Sequence, residues 1–318
     1  MKRVVFVFAA SILPTLALAA QLLVLNKSDA TLSFIDPESG QTSATIATGE
    51  GPHEIELSAD AKIAVVTNYG ASTPGNSLSV VDVNARKELE RVDLGDLRRP
   101  HGLTLLKNKI YFTAEQARRV GRYDPQSKRV DWTFETAQEG THMVLASRDG
   151  SKLFTTNMGS NNVSVIERGD DDQWTQALIG AGAGPEALDT SPDGRELWVA
   201  HSRDGGISII EIASKKVTQT FDAKTKRSNR LKFTPDGKLV LVSDLSGGEL
   251  VVIDAAKRTE RARIKLGRVP TGILIPDNQR AYVAVSGDNH IAVVDLQALR
   301  VTRTIPTGGS PDGMALVR

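Results

Sequence analysis

From Gln21 onward the chain alternates short apolar runs with polar turns, and no stretch keeps the helical spacing of apolar positions. One unit recurs. It opens on Pro or a small residue, then a polar residue, then an apolar run. A turn follows, as in Ser191-Pro192-Asp193-Gly194 and Thr234-Pro235-Asp236-Gly237, with Ser147-Arg148-Asp149-Gly150 as a variant. Pro presets φ and Gly takes the left-handed position, so these segments suit tight hairpins. A second apolar run comes next (residues 64–68, 153–157, 197–201 and 239–244), followed by a loop of Gly, Asn, Asp and Ser. A third run ends in an acid (residues 79–82, 164–167, 208–211, 251–254 and 292–295). A charged turn and a fourth run, such as residues 301–305, close the unit.

Units open at Pro52, Pro100, Thr141, Pro185, Ser228 and Pro270, a spacing of 41 to 48 residues. Four strands at that period predict the blade of a β-propeller. Before Pro52 there are three strands, within residues 21–48. After the last full unit one strand remains, residues 311–318, and it begins Pro-Asp-Gly-Met-Ala-Leu like a first strand. The chain therefore reads as all-β: a seven-bladed propeller whose C-terminal strand completes the first blade. Ring closure removes the free edges that invite aggregation.

The Ser-Pro-Asp-Gly turn, the Val66-Thr67-Asn68 end of a second strand and the Val-Ser-Val-Ile-Glu third strand (residues 163–167) resemble the YVTN family of bacterial β-propeller repeats. The resemblance covers essentially all of residues 21–318. It implies the propeller fold. It does not choose a function, because the family includes binding proteins, surface-layer proteins and relatives of lactonases and d1-haem domains.

The stretches GPHEIELSAD, RPHGLTLLKN and GTHMVLASRDG superpose, placing His53, His101 and His142 at one position of three consecutive units. The chain has 5 histidines, so three at one position are not scatter. The other units carry Glu186, Asn229, Thr271 and Asp312 there. In propellers of this kind that position lies at one mouth of the central channel. Three imidazoles on an arc of about 100° would leave the far side of an ion open, the layout of a catalytic zinc or iron site. His53, His101 and His142 are thus the metal-ligand candidates, for Zn, Fe, Cu or Mn. Glu186 is the candidate ligand, orienting acceptor or general base. Asn229 and Asp312 are expected to contact a ligand. The competing reading is that duplication spread histidines that bond only carbonyls or water.

The second strands end on the same face with Asn26, Asn68, Ala114, Asn157, His201, Asp244 and Val285. His201 is therefore a further candidate, as well as a candidate hydrogen-bonded strand end. Arg230 follows a ring position and either forms an ion pair or reaches an anionic ligand. Residues 69–76 read as a loop inserted into the repeat, with Tyr69 facing the ligand.

Composition narrows the partners. The N-terminal residues MKRVVFVFAASILPTLALAA combine Lys2 and Arg3, an apolar stretch and the small residues Ala17 and Ala19. They are expected to be a signal peptide, residues 1–20, directing the remaining single domain to the periplasm or outside the cell. No further membrane span is expected. The formal charge is +1, so bulk attraction for nucleic acid is not expected. The basic cluster Lys224, Lys226, Arg227, Arg230 and Lys232 reads as a solvated loop and strand end. Asp170-Asp171-Asp172 lacks calcium-loop spacing and reads as a solvated turn. There is no cysteine, which rules out disulfides, thiolate metal sites and covalent c-type haem. The GAGAG run at residues 180–184 has no following helix and is no nucleotide fingerprint. A Ser-His-Asp signature is likewise missing.

Three functions remain open. The first is an exported, monomeric binding or accessory propeller that meets a small molecule or a periplasmic protein at its polar mouth. The second is a metal-dependent, lactonase-like hydrolase or lyase. The third, implied by the resemblance to d1-haem propellers, is a haem or redox-associated role.

Overall fold

The computed structural model describes residues 20–169 and 173–318. Most of the expected signal peptide and the Asp170-Asp171-Asp172 run lie outside the described residues. Among the described residues there are 28 strands, no helix, and hence no helix able to cross a membrane.

The strands form seven sheets of four antiparallel strands each, the seven blades of a propeller. The innermost strands of blades 2 to 7 are Pro52–Leu57, Pro100–Leu106, Thr141–Ala146, Pro185–Thr190, Ser228–Phe233 and Pro270–Leu274. Blade 1 closes as its sequence pattern predicts. The C-terminal strand Pro311–Val317 pairs antiparallel with Gln21–Asn26, in the register Gln21↔Val317 and Leu22↔Leu316.

The apolar core is split into seven clusters, one between each pair of neighbouring blades. Alternate residues of the middle strands feed the clusters on the two sides of a blade. Leu23 and Leu25 face blade 2, whereas Leu22 and Val24 face blade 7. The second and third strands therefore read as almost continuously apolar, buried on both faces. The outermost strands, such as Lys87–Asp93, alternate exposed and half-buried positions.

The segment 69–76 departs from its expected form as a loop. The second strand of blade 2 runs on as Ile63–Gly70 and the third begins at Pro74, with Gly70 paired to Pro74. The insertion is an extended hairpin. Only its tip, residues 71–73, lies outside the two strands.

Candidate functional site

Every innermost strand slips register at its start. In blade 2 the shift falls between Pro52 and Ile55, in blade 3 between Pro100 and Leu103, and in blade 4 between Thr141 and Val144. The same irregularity recurs in blades 5, 6, 7 and 1. A β-bulge re-aims the side chain it carries, and here the bulge carries the ring residue of each blade.

The second strand holds these bulges. Thr67 Oγ1 accepts the amide N–H of Glu54 at 3.1 Å and donates to the carbonyl of His101 in the next blade at 2.8 Å. Thr113 does the same for Gly102 and His142, and Thr156 for Met143 and Glu186. Ser243 repeats the arrangement for Arg230 and Thr271. The hydroxyl of the Val-Thr-Asn motif thus ties its own bulge to the ring residue of its neighbour. Close approach of the innermost strands adds a second constraint. A Cβ on Gly313 would lie 2.6 Å from the His53 carbonyl oxygen, and one on Gly272 would collide with that of Asp312.

The ring residues pack into a largely buried polar layer, with His53 half-buried at its edge. Asp312 is 0% exposed, His101 1% and Glu186 3%. The three histidines stack in blade order. The ring centroids of His53 and His101 are 4.2 Å apart, and those of His101 and His142 3.8 Å. Tyr69, from the extended hairpin, sets its edge against both His53 and His101, at 5.3 and 5.5 Å.

Carboxylates approach both ends of the stack. His142 Nδ1 lies 3.2 Å from Glu115 Oε2, which also accepts the Tyr69 hydroxyl at 3.1 Å. Burial opposes ionisation of Glu115, but the His142 hydrogen bond and then Tyr69 bring its pKa below the ordinary value. His142 Nδ1 faces the Glu115 carboxylate, and its buried Nε2 has no partner. At the other end, His53 Nδ1 lies 2.8 Å from Asp312 Oδ2, and Lys27 Nζ lies 3.0 Å from the same oxygen. Burial raises the Asp312 pKa, but Lys27, His53 and Arg230 outweigh it and hold Asp312 well below the usual carboxylate range. Between them, burial holds His101 well below the usual imidazole value, helped by His142 and His53. His101 is a neutral imidazole, and its Nδ1 is buried without a partner.

The far side of the channel is charged. Arg230, expected in part as a solvated strand end, is only 4% exposed and reaches across from blade 6 to Glu54 of blade 2. Its Nη1 also donates to the Asn229 carbonyl at 3.1 Å. Burial disfavours the guanidinium charge, but Glu54, Asp312 and Glu186 together raise its pKa. Asn229 donates to Glu186 Oε1 at 2.5 Å, while Glu186 Oε2 is buried without a partner.

Of the proposed residues, His53, His101, His142, Glu186, Asn229 and Asp312 share this layer, with Tyr69 over it and Arg230 beneath. His201 does not join them. Its Nδ1 lies 2.9 Å from Asp204, and its Nε2 accepts the Gly182 amide at 3.2 Å. Both nitrogens are used to hold a loop. The set of donors close enough to share one ion also differs from the expected triad. One ligand atom each from His53, Glu54 and His101 lie within 4.8 Å of one another, and His142 falls outside that group. Glu54 and Glu115 were not legible as site residues. Glu54 follows the ring position, where bulge geometry decides which way it points, and Glu115 lies in the loop after a second strand.

The YNCE-like β-propeller family model matches residues 103–280. The chain belongs to the YNCE-like β-propeller family. No curated protein matches it by sequence. Among solved structures this family member is similar to Kuenenia stuttgartiensis hydrazine synthase, at 20% identity and TM-score 0.72, over 84% of this chain and 95% of that one. It is similar to the Pseudomonas aeruginosa periplasmic gluconolactonase PpgL at 18% identity and TM-score 0.76, over 94% and 99%. The dihydro-heme d1 dehydrogenase NirN is similar at 12% identity and TM-score 0.67, over 90% of this chain and 63% of that one. At such identities these likenesses show the shared propeller fold, and the chemistry of this YNCE-like chain rests on its own residues.

Proposed function

We propose that this propeller is an exported binding protein whose channel holds a divalent cation on His53, Glu54 and His101, and that the open side of the ion takes a small-molecule or protein ligand. The observation that carries this reading is that one donor atom each from His53, Glu54 and His101 lie within 4.8 Å of one another, with His101 buried and its Nδ1 without a partner. Two imidazoles and a carboxylate are a donor set that zinc and iron(II) accept with positions to spare. Asp312 Oδ2, 2.8 Å from His53 Nδ1, supports it, because a negative charge beside the donor set favours a cation. Arg230 engages Oε1 of Glu54, which leaves the other oxygen for an ion.

Metal content, measured by mass spectrometry on untagged protein after reconstitution, tests this directly. The wild type is expected to hold about one ion per chain, and His101→Ala to lose it, since the variant removes one of three ligands. His142→Ala is expected to keep the ion. Loss of metal there would instead select the three-histidine triad. A wild-type chain that takes up no metal would end this reading.

A second reading has one specific support. Glu186 is buried with a free Oε2 beside the polar layer, where a proton acceptor for metal-activated water would stand. Under this reading the chain is a lactonase-like hydrolase, as the name of PpgL suggests for that neighbour. Lactone turnover by metal-loaded protein, lost in Glu186→Gln with metal retained, is the expected signature.

A further inference from the structure

Beneath the Arg230–Glu54 pair the channel opens into a separate cavity of about 350 Å³. None of the seven ring residues lines it. Its wall comes from positions further along the innermost strands, and much of it is apolar: Met143, Leu145, Leu188, Leu274, Met314 and Leu316. All of these except Leu188 are half-buried, so solvent reaches the space they enclose.

Four charged groups line the same cavity: Glu54, Arg230, Glu56 and Lys232. Arg230 and Glu54 neutralise each other. Glu56, from blade 2, and Lys232, from blade 6, do not. Among the described residues neither side chain has a hydrogen-bond or ion-pair partner. Lys232 acts on Glu56 only from beyond ion-pair distance.

Such a wall disfavours ligands of a single charge. The lining is neutral overall, so an anion or a cation alone satisfies one group and leaves the other desolvated and unpaired, which is costly. Apolar walls with a few convergent polar groups are the usual make-up of a small-molecule site, and this volume lies near the lower end of the usual range of about 300–1,000 Å³. We infer that the lower channel is a binding site for a small zwitterion with an apolar body, of the free amino acid class, with its ammonium on Glu56 and its carboxylate on Lys232. This site lies below the histidine layer and shares only Glu54 with the cation group proposed there.

The test is calorimetric titration of the full chain with each of the protein amino acids at pH 8. At least one with an apolar side chain is expected to bind. Its decarboxylated and deaminated analogues are expected to bind at least tenfold more weakly. Glu56→Gln and Lys232→Met are each expected to weaken binding at least tenfold without shifting the melting temperature downward. Met143→Trp, which fills the cavity and leaves both charges in place, is expected to abolish binding and guards against a charge variant that fails to fold. If no amino acid binds the wild type, the inference is wrong. It is equally wrong if an analogue with one charge binds as well as the parent, or if Met143→Trp folds and still binds.

Discussion

Arg230→Met is expected to cost about 3–5 kcal/mol of stability, because it leaves the Glu54 carboxylate in the channel without its counter-charge. The pair spans the channel from blade 6 to blade 2, and Arg230 is almost wholly buried. The guanidinium also sits in the field of Asp312 and Glu186, so those carboxylates lose a compensating charge as well. Removing both members is a different experiment. Arg230→Met combined with Glu54→Leu is expected to recover most of the loss, since well-packed apolar residues often replace a buried pair at little cost. Denaturant midpoints of the wild type, the single variant and the double variant measure both values. A single variant within about 1 kcal/mol of wild type would show that water already compensates Glu54.

Deleting residues 311–318 is expected to abolish the folded monomer. The loss is not a frayed end. The strand Pro311–Val317 is the innermost strand of blade 1, and Ala315 belongs to the cluster between blades 1 and 2. Without it, Gln21–Asn26 becomes an open edge, the kind of surface that pairs with other chains. Asp312, which faces Lys27 and His53, goes with it. The decisive control restores the strand in another connection. Val317 is paired with Gln21, so a short turn can join the end of this strand to the start of the next one. A permuted chain with residues 307–318 linked ahead of Gln21 and ending at Pro306 is expected to fold and elute as a monomer. Size-exclusion chromatography and circular dichroism compare the two. A truncated chain that still melts cooperatively as a monomer would contradict the role of the closing strand.

The residues that form the polar layer divide by how they are specified. The position shared by His53, His101 and His142 was legible because the repeat puts one residue per blade in the same bulge. The Thr of Val66-Thr67-Asn68 was legible as a motif, but its task was not. Its hydroxyl acts on the next blade, through His101, which is remote in sequence. Glu115 reaches His142 from a different blade, and Tyr69 lies over the stack because the inserted segment became a hairpin instead of a loop. His201 looked like the ring histidines in residue type. Asp204, three residues on, captures it locally.

The sequence by itself determined the strands, their turns, the seven units and the residue that each unit sends into the channel. These follow from local properties: short apolar runs, Pro and Gly at turn positions, and repetition of one pattern. Only the tertiary structure decided which donors meet. Closing the ring brings Glu54 of blade 2 opposite Arg230 of blade 6, and Asp312 of the last strand beside His53. It also leaves Glu56 and Lys232 facing one apolar cavity. Contacts across a channel depend on the size of the closed circle and on bulge direction, and both emerge only when all seven blades are in place.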